Sequence, residues 1–189
     1  MNLLLATTNK DKVREIRGIL SGLEVTLLTL DDVPAIAPPE ETGLTFEENA
    51  RLKALYYAGA SGHLVVAEDS GLEIDALDGR PGVESARFGG ERTPYPGKFA
   101  LLYAQGAAGS SARFVCALAV AGSDRVLFEA RGVVEGRIAP SPTGDGGFGY
   151  DPIFFYPPFG TTLADAAGRK SEVSHRGEVF RQLRRFLDR

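Results

Sequence analysis

The sequence predicts an α/β protein built on a mixed β-sheet flanked by helices. Three observations point there. Short apolar runs near the N-terminus alternate with segments of helical periodicity, as in βα units. Two longer β-type runs, residues 113–121 and 126–139, are joined by a turn at residues 122–124, as antiparallel neighbours are. A segment with one apolar helical face, residues 178–189, follows at the far end. This pattern predicts an elongated sheet with a lobe at each end, within one domain over residues 1–189.

Residues 3–6 (LLLA) are an apolar run suited to a buried strand. Thr7, Thr8 and Asn9 are cap residues, and Val13, Ile16, Ile19 and Leu20 recur at helical spacing before Gly22 closes the helix. Residues 25–28 read as a second strand, and the Pro-rich stretch 34–39 leads to Glu40 and Glu41. Thr45 with Glu48 forms a capping box for a helix running to about residue 60. Residues 64–67 (LVVA) read as a buried strand ending in Glu68-Asp69-Ser70-Gly71. A Gly/Pro-rich stretch precedes a helical pattern over residues 97–105. The loop PSPTGDGGFG precedes an aromatic strand, YDPIFFY, and Ser174 is a candidate N-cap for the last helix.

Composition narrows the function. The 189 residues are 43% hydrophobic and 24% charged, enough apolar material for a folded core. One cysteine excludes an intrachain disulfide and a cysteine-rich zinc site. With only two histidines, an oxygen-ligated Mg²⁺ site is the metal chemistry left open. The net charge of −4 lacks the basic footprint of a nucleic-acid coat. The opening MNLLLATTNK has no basic n-region or cleavage site, and the run FVCALAVAG is too short to span a bilayer. The expectation is a cytoplasmic protein with neither a membrane nor a nucleic-acid partner.

Four constellations carry candidate chemistry. Thr7, Thr8, Asn9, Lys10, Asp11 and Lys12 lie between a strand and a helix N-terminus, where backbone N–H groups and the helix dipole favour phosphate. The bland reading is capping plus a solvated lysine. Glu40-Glu41 and Glu68-Asp69 are carboxylate pairs, the second at the expected C-terminal edge of a strand, where open α/β sheets bind ligands. Clustered carboxylates call for a cation, and Mg²⁺ with water and phosphate ligands suits them; solvated loop acids are the alternative. The run Gly144 to Gly149 matches G-x-G-x-x-G, but the surrounding prolines and aromatics oppose the strand-to-helix context of a dinucleotide fold. It reads better as a flexible loop offering Phe148 as a face for a flat base. Lys170, His175 and Arg176 gather two cations and a histidine at a helix entry, where cations are electrostatically out of place without a partner. Cys116 lies in an apolar strand pattern and reads as core. A Ser70–His175–Asp triad lacks a G-x-S-x-G elbow, and no P-loop motif is present.

In order along the chain, TTNKDKVREI, ETGLTFEENARLKA, AEDSGLEIDALDGRPGVESARF, PTGDGGFGYDPIF and KSEVSHRG resemble the motifs of one family: the inosine-triphosphatase-like nucleoside triphosphate pyrophosphatases. Thr8 stands where that family often has glycine, and Asp145 is an extra residue before Gly146-Gly147. The resemblance implies two α/β lobes with a nucleotide cleft between them, in a homodimer. It implies hydrolysis of ITP, dITP and XTP to the monophosphate and pyrophosphate, with Mg²⁺ (or Mn²⁺) required. It casts Asp69 as general base for water attacking the α-phosphorus, and Asp69 with Glu40 or Glu41 as the metal ligands. Thr7 to Lys12 with Ser70 would hold phosphates. Phe148, Gly149, Tyr150 and Asp151 would hold base and sugar, and Lys170, His175 and Arg176 would complete the site. Two other readings stay open on the residues alone: a hydrolase or kinase releasing the γ-phosphate, and a nucleotide sensor without turnover.

Overall fold

The computed structural model describes residues 1–188. Its strands are β1 (Asn2–Leu5), β2 (Thr26–Thr29), β3 (Leu64–Ile74), β4 (Ser111–Ala121), β5 (Val126–Ile138), β6 (Phe154–Tyr156) and β7 (Thr161–Thr162). They form a seven-stranded sheet in the order β2-β1-β3-β4-β5-β6-β7. The helices are α1 (Lys10–Ile19), α2 (Phe46–Ser61), α3 (Tyr95–Ala104), α4 (Lys170–Val173) and α5 (His175–Leu187). The sheet is mixed: β1 pairs parallel with β2 and β3, and β6 pairs antiparallel with β5 and β7. The β4–β5 connection closes with Gly122 N–H donating to the Arg125 carbonyl at 3.0 Å, a link too short for anything but antiparallel neighbours. The α/β class and mixed sheet are as the sequence predicts.

Contacts divide the chain into two compact units. The first comprises Met1–Asp69, Cys116–Gly132 and the segment from Arg176 onward; the second comprises Ser70–Val115 and Val133–His175. In the first unit, Leu3, Leu5 and Val66 of the sheet pack with Cys116, Leu118 and Val120 against Ile16 of α1, Leu20 at its C-cap, and Val179, Phe180 and Leu183 of α5. The residues on β1 and β3 alternate because successive strand side chains face opposite ways. Leu4, Val65 and Ala67 are buried on the other face, as are Ala50, Ala54, Tyr57 and Ala58 of α2. The second unit has its own core, including Leu72, Ile74, Leu102, Phe114, Ile153 and Phe154, with Phe114 and Phe154 stacked at 4.4 Å between ring centroids.

Several boundaries differ from the sequence expectation. β3 does not end at residues 67–68 but runs through the EDSGLEI segment to a total of 11 residues, so Glu68 and Asp69 sit within the strand and not at its end. Its length follows from burial: Leu72 and Ile74 enter the second core. α3 begins at Tyr95, with Pro94 as N-cap and a proline in its first turn, where the missing N–H costs nothing. Only Phe154–Tyr156 of YDPIFFY is strand, because Asp151–Ile153 forms a 3₁₀ turn around Pro152. No helix among the described residues is long and apolar enough to cross a membrane.

Candidate active site

The first unit holds most of the candidate polar machinery. β1 delivers the chain to Thr7, whose Oγ1 accepts from Asn9 N–H at 3.2 Å. Asn9 caps α1: its Oδ1 accepts from the N–H groups of Asp11 and Lys12 at 3.0 and 3.1 Å. Those two helix N–H groups are thereby occupied, so an anion at this turn would meet the remaining backbone donors and side chains. Asp11 pairs with Arg14 at 2.7 Å, and Thr8 and Lys10 are exposed. Thr7, Thr8 and Lys10 line a cavity of about 470 Å³ with Val13, Arg14, Arg17 and the Thr29–Asp31 segment. Glu41, Glu68 and Asp69 are not part of that lining.

Asp69 leaves β3 toward α2. Its Oδ2 accepts from Asn49 Nδ2 at 3.0 Å, and its Oδ1 lies 3.5 Å from Lys53 Nζ. Lys53 is also 2.9 Å from Glu41 Oε1, so one ammonium joins both carboxylates. Asn49 and Lys53 share a face of α2 because they are one turn apart. Asn49 is fully buried, and its Oδ1 accepts from Gly43 N–H at 2.8 Å, tying the strand-to-helix loop to the site. A side chain at Gly43 would meet that same Oδ1 at 2.6 Å, so the approach needs glycine. The capping box at Thr45 and Glu48 sets where α2 starts, and through it where Asn49 and Lys53 point. Glu40, left open beside Glu41 by the sequence, is exposed.

Burial raises the Asp69 carboxyl above its ordinary value; Lys53 and Asn49 counter this, while the charges of Glu41 and Glu68 add to it. Lys53 is affected in the opposite sense: burial would lower its ammonium, but Asp69 and Glu41 hold it above the usual lysine value. Two carboxylates around one ammonium leave a net negative charge that suits a hard cation. Among the described residues no cluster of three or more His, Cys, Asp or Glu side chains is placed to hold a metal. A two-carboxylate oxygen set fits Mg²⁺, which keeps waters and takes its other ligands from substrate phosphates.

Glu68, the preceding residue, faces the other side. Its Oε1 is 2.5 Å from Lys12 Nζ, its Oε2 accepts from Cys116 Sγ at 3.1 Å, and Arg176 reaches Oε2 at 3.5 Å. Arg176 also donates to Glu15 Oε2 at 2.9 Å and is 2% exposed. Burial would raise the Glu68 carboxyl, but Arg176 and Lys12 hold it well below the usual carboxylate range. Burial and the neighbouring carboxylate push the Cys116 thiol well up, so it is an inert core thiol, as its sequence context implies.

In the second unit, Phe148 N–H donates to Asp151 Oδ2 at 2.8 Å, and Lys170 Nζ lies 2.5 Å from the same oxygen. The Lys170 ammonium stands 4.2 Å from the Phe148 ring centroid. Asp151 is buried and organises the loop and its lysine. At Gly147, φ is +70° and an added Cβ would lie 2.2 Å from Asp151 Oδ2, so glycine is required there. Tyr150 is buried and donates to the Ser85 carbonyl at 2.8 Å. His175 is 5% exposed and stacked on Phe114 at 5.0 Å and 16°. Ser70 is half-buried in β3, and Gly149 has φ +68°.

The structure thus brings Glu41 and Asp69 together around Lys53, Lys12 and Arg176 to Glu68, and Phe148 to Asp151 and Lys170. Asn49, Lys53 and Glu15 were not singled out by sequence reasoning. Two of them carry a signal: Asn49 and Lys53 lie four apart in ENARLKA, a buried-type asparagine and a lysine on one helix face.

A family model described as the Ham1 family matches residues 3–186. The dITP/XTP pyrophosphatase of Exiguobacterium sp. strain AT1b is 47% identical over 186 residues, 97% of this chain and 95% of that protein. The structure of a HAM1 protein from Coxiella burnetii superposes with a TM-score of 0.88 at 36% identity, covering 100% of this chain and 98% of that one. The Staphylococcus aureus Ham1 protein gives 0.89 at 36% identity with the same coverage.

Proposed function

Because the chain belongs to the Ham1 family, we propose that it hydrolyses non-standard purine nucleoside triphosphates, dITP, ITP and XTP, to the monophosphate and pyrophosphate. The observation that carries the reading is the Asp69 carboxylate, oriented by Asn49 and sharing Lys53 with Glu41. Asp69 takes the proton of the water that attacks the α-phosphorus. In the metal-free protein burial raises its carboxyl above the ordinary aspartate value, the direction that favours taking a proton. Asn49 holds one oxygen and Lys53 lies 3.5 Å from the other, which fixes the carboxylate for the reacting water.

Glu41 and Asp69 would hold Mg²⁺, which when bound neutralises charge on the phosphates. Lys53 supplies a fixed positive charge beside both carboxylates, and Lys12 with the start of α1 binds phosphate oxygens. Phe148, braced by Lys170 and Asp151, offers a ring for the purine. The homodimer implied by the motif resemblance belongs to the same reading, and sedimentation at micromolar concentration tests it.

The deciding experiment is product analysis with Mg²⁺ and, separately, dITP, XTP, ATP and GTP. Pyrophosphate and monophosphate from dITP and XTP, with little from ATP or GTP, is the expected result. Orthophosphate with the diphosphate would move the attack to the γ-phosphorus. Binding without product would make the protein a sensor.

A further inference from the structure

Glu68 has no part in the base chemistry above, yet it is among the most elaborately held carboxylates in the first unit. It is buried in β3 and meets Lys12 from α1, Arg176 from α5 and Cys116 from β4. Glu15, one turn beyond Lys12 on α1, holds Arg176 from the other side. A carboxylate fixed by several partners does not swing, so whatever it grips is fixed too.

Lys12 is what it grips. The Lys12 side chain keeps 19% of its exposure while its ammonium rests 2.5 Å from Glu68 Oε1. An ammonium carries three N–H donors. Its ion pair with Glu68 on one side leaves donors for an oxyanion. A free lysine on a helix surface samples many rotamers, and ordering it on binding costs affinity. A lysine already tethered has met that cost in folding.

We propose that Glu68 is the positioning residue of the polyphosphate site: it holds the Lys12 ammonium in place for phosphate without touching the substrate. The proposal rests on the reading of Lys12 as a phosphate ligand. It makes a prediction whose sign is opposite to that of simple electrostatics. Neutralising a carboxylate near an anion site should tighten anion binding by Coulomb's law. Loss of positioning weakens it.

The test measures inorganic pyrophosphate affinity by calorimetry, and KM and kcat for dITP, in Glu68→Gln, Glu68→Asp, Lys12→Met and Lys12→Met/Glu68→Gln. Glu68→Gln should weaken pyrophosphate binding and raise KM on the order of tenfold, with kcat changed much less, as when an outer partner of a binding group is lost. Glu68→Asp keeps the charge but shortens the reach, and should weaken binding as well. It also stands in if Glu68→Gln fails to fold, because it keeps a charge against Arg176. In the Lys12→Met background, Glu68→Gln should add nothing. Equal or tighter pyrophosphate binding by a folded Glu68 variant overturns the proposal, and so does a full further loss in the Lys12→Met background. Wild-type protein that binds no pyrophosphate overturns it too. The calorimetry needs no turnover, so a wild-type protein without hydrolysis would sink the enzymatic reading and still leave this test decisive.

Discussion

Glu68 and Asp69 are consecutive in β3 and serve opposite faces of the sheet. Asp69 points to Asn49 and Lys53 of α2, while Glu68 points to Lys12 of α1 and Arg176 of α5. Strand alternation separates two adjacent acids that would repel if they shared a face. Each then acquires its own cation, and the two environments drive the carboxyls apart: Asp69 upward by burial, Glu68 well downward because Arg176 and Lys12 outweigh burial. Divergent environments of this kind let one acid act as a base while its neighbour stays a fixed charge.

Asp69→Asn should abolish turnover and leave nucleotide binding. The amide keeps the size and shape of the carboxylate but cannot take the proton, and its NH2 must face one of the two donors, Asn49 Nδ2 or Lys53 Nζ, from which the carboxylate accepts. A loss of about 10²–10⁴-fold in kcat is the scale for a general base. Stopped-assay rates and calorimetric binding of the nucleotide to the variant check it; unchanged kcat would remove Asp69 from the base role.

Lys53→Met should lower kcat/KM and move its acidic limb to higher pH. Lys53 is the charge that counters the burial-driven rise at Asp69. Without it the Asp69 carboxyl protonates more readily, so the deprotonated base is lost at a higher pH on acidification. A pH–rate profile with an unmoved acidic limb would contradict this.

Gly147→Ala should destabilise the protein by about 1–3 kcal/mol, the scale for a non-glycine residue in left-handed backbone. The new Cβ would press on Asp151 Oδ2, which receives both Phe148 N–H and Lys170. Denaturant titration reads the stability, and a raised KM for dITP reads the disturbed loop.

Phe148→Ala should weaken nucleotide binding by about 1–3 kcal/mol if the ring stacks on the base. Inorganic tripolyphosphate, which has no base, should bind the variant as it binds the wild type. Equal losses for both ligands would mean the ring supports the loop and not the purine.

Stability should fall on acidification partly through Glu68. Its folded-state carboxyl lies well below the ordinary value of 4.5, so its contribution is fully present above that value. The contribution is lost as pH falls through the depressed folded-state value. Stability measured by denaturant from pH 7 downward with a chelator present, compared with Glu68→Gln, isolates this: the variant should lose less on acidification. Parallel curves would show that Glu68 titrates alike in both states.

The α/β class was legible in the sequence because it rests on local pattern: LLLA and LVVA as buried strands, Asn9 and the Thr45–Glu48 box as caps, and the β4–β5 turn. The motif residues were legible because they are contiguous. Where the strand through Glu68-Asp69 ends was not, since that depends on whether Leu72 and Ile74 have a second core to enter.

What the sequence determined by itself, then, is which residue types are present, their periodicity and their local caps, all properties of neighbours in the chain. Only the tertiary structure decided the pairings: Glu41 and not Glu40 at Lys53, Lys12 on Glu68, Arg176 between Glu68 and Glu15, and His175 stacked on Phe114. Those partners are separated by up to 161 positions, as Glu15 and Arg176 are. Which of two adjacent glutamates turns inward, and which cation a buried carboxylate receives, is set by packing and by the cost of burying an uncompensated charge. No local pattern carries that information.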